Sequence, residues 1–390
     1  MHQPSGFIDP NYPHHVCKLH KSLYGLKQAP QQWFQQFSDH LEELGFCESK
    51  ANYFRFTFRK GVLIIILLLY VDDILITGNS SSHIFQLIQN LGKLFSMKDL
   101  GLLHFFLGLE AIYSFGGLYL TQTKYTMDLL HRTKFQDVKP ISSPAHTGQK
   151  LSIYDGDPLP DPTEYRSVVG ALQYLTLTCL DIAFAVNQMC QFMHQPTTTH
   201  WIAVKRILHY LKSTPTHGLF HQPSSLRLEA YSDADYARNL DDRRSTGGYC
   251  IYLRYNPISW SAKKHRTVSR LSTEAEYHQL AYTTAEISWL RSLLKDLGVS
   301  LTTPLIWCDN ISSISLASNS VFHARTKHLG VDYHYVHDKV VRKELDVSYI
   351  CTIDQVADMF TKGLSSTRFK LLANKLMVRS CPISLRGCDN

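Results

Sequence analysis

The sequence predicts an α/β chain in successive parts: an α+β unit over residues 1–135, a connection over 136–225, and an α/β domain over 226–365 with a mixed sheet flanked by helices. Three observations predict it. Short β-rich apolar runs succeed one another between residues 53 and 77, separated by basic, acidic and glycine turns. From residue 226 onward, hydrophobic periodicity reads strand, strand, strand, helix, strand, helix. Between the two, Pro140, Pro144, Gly148, Gly156, Pro158, Pro160 and Pro162 mark a loop-rich linker.

Composition sets the outer limits. A chain of 390 residues with 44% hydrophobic content can bury two or three cores. A net charge of +7 suits a polyanionic partner without identifying one. The nine cysteines are scattered, with no C-x-x-C pair, which reads as reduced intracellular thiols and excludes a disulfide frame or zinc ribbon. The longest apolar run, Val62 to Tyr70, is too short to span a bilayer and is followed by two aspartates, and the opening residues with Pro4 and Asp9 do not resemble a signal peptide. An intracellular protein with no membrane segment is expected.

In the first part, a helix after Pro30 is expected to bury Trp33, Phe34, Phe37, Leu41 and Leu44 at helical spacing. Tyr53 to Phe58 and Val62 to Leu69 form a hairpin around Arg59-Lys60-Gly61. Tyr70-Val71-Asp72-Asp73 comes next, then Ile74-Leu75-Ile76-Thr77. Two adjacent carboxylates between apolar strands are costly without a cation or hydrogen bonds, which points to metal ligands over an ordinary acidic turn.

The Tyr-Val-Asp-Asp hairpin, the run Leu23-Tyr24-Gly25-Leu26-Lys27-Gln28-Ala29-Pro30, the run Phe95-Ser96-Met97-Lys98-Asp99-Leu100-Gly101 and Phe106-Leu107-Gly108-Leu109-Glu110 closely resemble the reverse transcriptase of copia-type LTR retrotransposons. The resemblance runs to about residue 365. It implies that residues 1–135 are a palm and thumb remnant, that Asp72 and Asp73 are polymerase carboxylates, and that Gly25 to Gln28, with Lys27 and Gln28 near nucleic acid, line the nucleotide site. Such polymerases carry a further metal-binding Asp upstream of the Leu-Tyr-Gly-Leu segment; Asp9 belongs instead to the family's Gly-Phe-Ile-Asp run. Gln31 stands where the family usually has Arg. With one ligand missing, positioning of the ions fails, and no polymerase activity is expected from this chain alone.

In the connection, helices are expected from Tyr165, from Asp181 to Met193 and from Thr199 to Leu211, the last with Trp201, Val204, Ile207, Leu208 and Leu211 on one stripe and Lys205 and Arg206 on a solvated basic face. From residue 226 the family resemblance continues as an RNase H-like domain and includes Asp241-Asp242-Arg243-Arg244-Ser245-Thr246. Gly247-Gly248 is read as a turn into the second strand.

The acidic residues of this domain need choosing. Glu274 and Glu276 lie two apart on a helix and face different ways. Leu280, Ile287, Leu290 and Leu294 phase with Glu276, so Glu276 faces the sheet; the competing role is a Thr273-x-x-Glu276 capping box. Asp233 is preferred to Asp235 because Tyr231-Ser232-Asp233 resembles the strand-end Tyr-Thr-Asp of the fold. Leu305 to Cys308 is a short strand delivering Asp309, with Asn310 starting the next helix. In the run Asp354 to Lys362, Asp358 is preferred because Ala-Asp before a helix resembles the retroviral signature, with Asp354 as the capping alternative. The mobile His that many such enzymes keep near the last Asp has no counterpart between Ser348 and Ala357, and Gly330 stands where the family often has an acid.

The resemblance implies hydrolysis of the RNA strand in an RNA–DNA hybrid, with two Mg²⁺ held by Asp233, Glu276, Asp309 and Asp358. Lys263, Lys264, Arg266 and Arg270 are expected to track phosphates. Residues 366–390 read as a mostly polar tail without a role. Alternatives are a non-catalytic nucleic-acid-binding remnant and a part of a longer polyprotein with polymerase activity.

Overall fold

The computed structural model describes residues 2–18, 28–71, 73–318 and 330–382. The chain divides into two compact units, Met1–Asp99 and Leu100–Asn390.

In the first unit, α1 (Ala29–Glu43) begins with Pro30 in its first turn, where a missing N–H costs no hydrogen bond. Phe37 and Leu41 are fully buried, and Trp33, Phe34 and Leu44 pack beside them, as the helical spacing requires. β1 (Cys47–Glu48), β2 (Arg55–Lys60), β3 (Leu63–Tyr70) and β4 (Asp73–Gly78) form an antiparallel sheet in that order, with Phe56, Leu67 and Leu69 on its buried face. Gly61, at φ +60, turns the chain between β2 and β3. α2 (Ser81–Leu94) adds Leu87 and Leu91 to the same core.

The second unit starts earlier than expected. β5 (Phe105–Phe106), β6 (Leu109–Ser114) and β7 (Gly117–Thr121) precede α3 (Thr123–Arg132), α4 (Thr163–Leu175), α5 (Ala183–Cys190), α6 (Thr198–Ser213) and β8 (His217–His221). β7 pairs with β8, so residues 100–135 belong to the second unit rather than to the first. Arg206 on α6 is also not on a free basic face: it donates to Ser143 Oγ (3.0 Å) and contacts His146 Nε2 (3.1 Å), pinning the linker to the helix.

β9 (Leu228–Asp235), β10 (Thr246–Leu253), β11 (Asn256–Lys264), α7 (Ser272–Asp296), β12 (Leu305–Cys308) and α8 (Ile311–Ser318) come in the predicted order, and α9 (Gly330–Val341) and β13 (Asp346–Tyr349) follow them. Among the described residues they form a mixed sheet in the order β11-β10-β9-β12-β13, with β12 parallel to both neighbours and β10 antiparallel to both of its own. Gly247 and Gly248 lie inside β10, not in a turn. A Cβ on Gly248 would stand 2.5 Å from Phe360 Cβ, so the glycine admits a close neighbour rather than a bend.

The described part of the expected tail, residues 366–382, is structured. α10 (Asp358–Thr361), α11 (Ser366–Lys375) and β14 (Val378–Ser380) fold back, β14 pairing with β8 to give a second sheet in the order β14-β8-β7-β6-β5. Phe360, Phe369 and Leu372 share one core with Leu172 of α4, Val186 of α5 and Leu208 of α6, so the connecting helices are an integral layer of the second unit. No described helix is long and apolar enough to cross a membrane, and no disulfide joins the described cysteines.

Candidate metal centre

β9 lies in the middle of its sheet, and its side chains Leu228, Ala230 and Ser232 alternate into the interior. Asp233, two residues before the strand ends, is buried and stands opposite Gly248. Trp307 pairs with Tyr231 in parallel register, so two residues further along each chain Asp309 comes beside Asp233. Asp309 is half-buried and accepts a hydrogen bond from Thr352 Oγ1 at 2.9 Å. Asn310 caps α8 by accepting from the Ser313 N–H at 3.0 Å.

Glu276 arrives from α7. Tyr277, Leu280, Ile287 and Leu290 are buried in the core beneath the sheet, and the same face carries Glu276 inward to 7% exposure. No side chain caps α7 at Leu271, so Glu276 is not used for capping. Glu274 points elsewhere, accepting from the Arg270 N–H (2.8 Å) and lying 3.7 Å from His278 Nε2. Oxygens of Glu276 and Asp309 and the Cys308 thiol lie within 4.8 Å of one another.

Asp358 opens α10 and has no solvent exposure of its side chain. Arg368 from α11 binds one of its oxygens, and Lys362 Nζ lies 2.8 Å from the other and 3.4 Å from Asp233 Oδ2. Thr361 donates to Asp233 as well. Sequence reasoning assigns no role to Thr352, Thr361, Lys362 or Arg368; the one signal it offers is the spacing of Lys362 four residues after Asp358 on one helical turn. The rejected neighbours are occupied: Asp235 binds Arg238 at 2.7 Å, and Asp354 binds Lys375 at 2.8 Å.

The electrostatics arise from burial. Asp233 is pushed up to about 7 by burial, against the pull of Lys362 and the Thr361 hydrogen bond, with Asp358 and Asp309 adding to the rise. Glu276 is raised by burial first, then by Asp233 and Asp309. Lys362 loses from burial but is held above the ordinary ammonium range by Asp233 and Asp358. Cys308 is raised by burial and by Glu276, which keeps it a thiol. Hard oxygen donors gathered from β9, α7 and the end of β12 suit a divalent cation. Glu276 Oε2, buried and without a hydrogen-bond donor, fits the same use.

The other predicted residues are dispersed. Lys263, Arg266 and Arg270 are exposed after or at the end of β11, whereas Lys264 is committed to Asp242 at 2.8 Å. In the first unit, Asp73 is exposed at the start of β4, across a tight hairpin from Tyr70, and Val71 between them has φ +52, unusual for a β-branched residue. Gln28 is exposed just before α1. Asp72 and Lys27 lie outside the described residues.

Residues 1–147 match the family described as reverse transcriptase (RNA-dependent DNA polymerase). The chain is 48% identical over 386 residues to a retrovirus-related Pol polyprotein from transposon RE1 of Arabidopsis thaliana, covering 98% of this chain and 26% of that protein. It is 34% identical over 292 residues to a putative transposon Ty5-1 protein of Saccharomyces cerevisiae, covering 73% of this chain and 94% of that one. Among solved structures, LC11-RNase H1, isolated from compost, aligns with 35% of this chain and 93% of its own at 16% identity and a TM-score of 0.29. The chain spans about a quarter of the length of the Pol polyproteins from transposons RE1 and RE2 of Arabidopsis thaliana (26% and 27%). It belongs to the family of copia-type retrotransposon Pol polyproteins.

Proposed function

We propose that the second unit cleaves the RNA strand of an RNA–DNA hybrid at a centre built from Asp233, Glu276, Asp309 and Asp358. The observation that carries this reading is the convergence of buried carboxylates from separate elements, with Glu276 Oε2 left without a donor. Two Mg²⁺, when bound, would supply an activated water and stabilise the leaving 3′ oxygen. Thr352 holds Asp309 and Thr361 holds Asp233, so both carboxylates are oriented before substrate arrives. Lys263, Arg266 and Arg270 offer positive charge for a phosphate backbone, and RNA would be distinguished through its 2′-hydroxyls.

The test is hybrid cleavage by the purified chain with Mg²⁺. Asp309→Asn keeps the shape of the side chain and removes its charge; cleavage should be lost, and cleavage that persists in this variant rejects the assignment.

A further inference from the structure

The acidic centre has two unlike sides. Among the described residues neither Glu276 nor Asp309 forms an ion pair. Asp233 and Asp358 share the Lys362 ammonium, 2.8 Å from Asp358 Oδ1 and 3.4 to 3.5 Å from the two oxygens of Asp233. The Lys362 side chain is 32% exposed while both carboxylates are buried, so it reaches in from solvent along a flexible stem. Its partners do not depend on it for their placement. Arg368 holds the second oxygen of Asp358, and Thr361 holds Asp233. Lys362 can therefore swing out and leave both carboxylates where they are.

We propose that Lys362 is a built-in counter-ion that competes with one of two divalent ions for the Asp233–Asp358 side of the centre. Among the described residues no cation is paired on the Glu276–Asp309 side, so that side takes the first ion. The second ion must displace the ammonium, so the two bind unequally and in order. Lys362 thereby acts as a positioning residue: it balances charge between the two carboxylates until a second ion arrives. This deepens the hydrolytic reading above, but its test measures ion binding itself.

The probe is Mn²⁺ titrated into the full chain, with free ion followed by electron paramagnetic resonance. The wild type should bind one equivalent at least about tenfold more tightly than the second, as expected for a unit charge a few ångströms from the competing ion. Lys362→Met should tighten the second equivalent by about tenfold or more and leave the first within about threefold, while Lys362→Arg keeps the wild-type inequality. Two equally tight equivalents in the wild type, or a second equivalent unmoved by Lys362→Met, would overturn the proposal. If the Met variant melts early, Lys362→Gln is held to the same two outcomes. Hybrid cleavage that is lost in Asp309→Asn, alongside equal ions, removes the role of Lys362 and leaves hydrolysis standing. Unequal ions relieved by Lys362→Met without any hybrid cleavage remove hydrolysis alone.

Discussion

Arg368 closes on one oxygen of Asp358, ten residues earlier in the chain, and that carboxylate has no solvent exposure. The same guanidinium donates to the Thr352 carbonyl at 2.5 Å, so one side chain ties α11 both to α10 and to the turn that holds Asp309. Removing one partner of a buried pair leaves an uncompensated charge. Arg368→Ala should therefore destabilise the second unit by about 2–3 kcal/mol, below the full cost of a buried pair because Lys362 still faces Asp358. Urea unfolding measures this, and a loss under about 0.5 kcal/mol would show that the pair contributes nothing net.

Gly248 faces Asp233 across the ladder and touches α10 from behind. A methyl group there would meet Phe360 Cβ at 2.5 Å and Thr361 Cγ2 at 3.0 Å. Gly248→Ala should cost about 1–3 kcal/mol of overpacking. It should also lower hybrid cleavage at temperatures where near-UV circular dichroism is native, because Thr361 and Asp358 move with α10. Gly330→Ala, with open space around it, serves as the comparison and should stay within about 0.5 kcal/mol of wild type.

His200 supplies the pH dependence. Its ring is buried, Nδ1 accepts from the Thr197 N–H at 3.0 Å, and Nε2 donates to the Ser152 carbonyl at 3.1 Å. Both bonds fit the neutral ring, and burial holds His200 below its ordinary value of 6.5. A folded value below the unfolded one means the unfolded chain binds the proton first. The stabilisation is then complete above about pH 6.5 and is lost as pH falls from there toward the lowered value. Between about pH 7.5 and 5.5 the wild type should lose more urea midpoint, or gain less, than His200→Gln; the comparison is between the two proteins because the raised Asp233 and Glu276 act in the opposite sense over the same window. Slope remains in that variant because burial also lowers His217 and His221. An identical slope in both proteins would remove His200 from the account.

Asp241 anchors the linker. It accepts from Ser152 Oγ and from the Ile153 N–H at 3.1 Å, while Asn239 Oδ1 fixes its own N–H at 2.9 Å. Asp241→Ala should cost about 1–2 kcal/mol and speed amide exchange across residues 152–157. Unchanged exchange there would mean that other bonds hold the segment.

Much of the site is legible in the sequence because it depends on local periodicity. Glu276 is found from its phase with Leu280, Ile287 and Leu290, and Asp309 from its place after a short apolar strand. The hidden part depends on the chain returning to itself. Arg368 and Lys362 become partners of Asp358 and Asp233 only once α10 and α11 pack against β9 and β10. Gly247-Gly248 misleads because glycine marks both a bend and a close approach, and only the neighbour, Phe360, distinguishes them. The unit boundary is hidden for a similar reason: β7 looks like the end of the first unit until its partner β8 arrives nearly 100 residues later.

The pairing of β14 with β8 sets an order in time. Leu219 meets Val378 across about 160 residues of chain, and the core of α4, α5 and α6 is closed by Phe369 and Leu372. During synthesis, the strands around Asp233 would emerge long before the segment that completes the layer beneath them. The second unit is therefore expected to fold as one body only after residue 380 has left the ribosome, and until then its half-built sheets expose unpaired edges on which a holding chaperone could act.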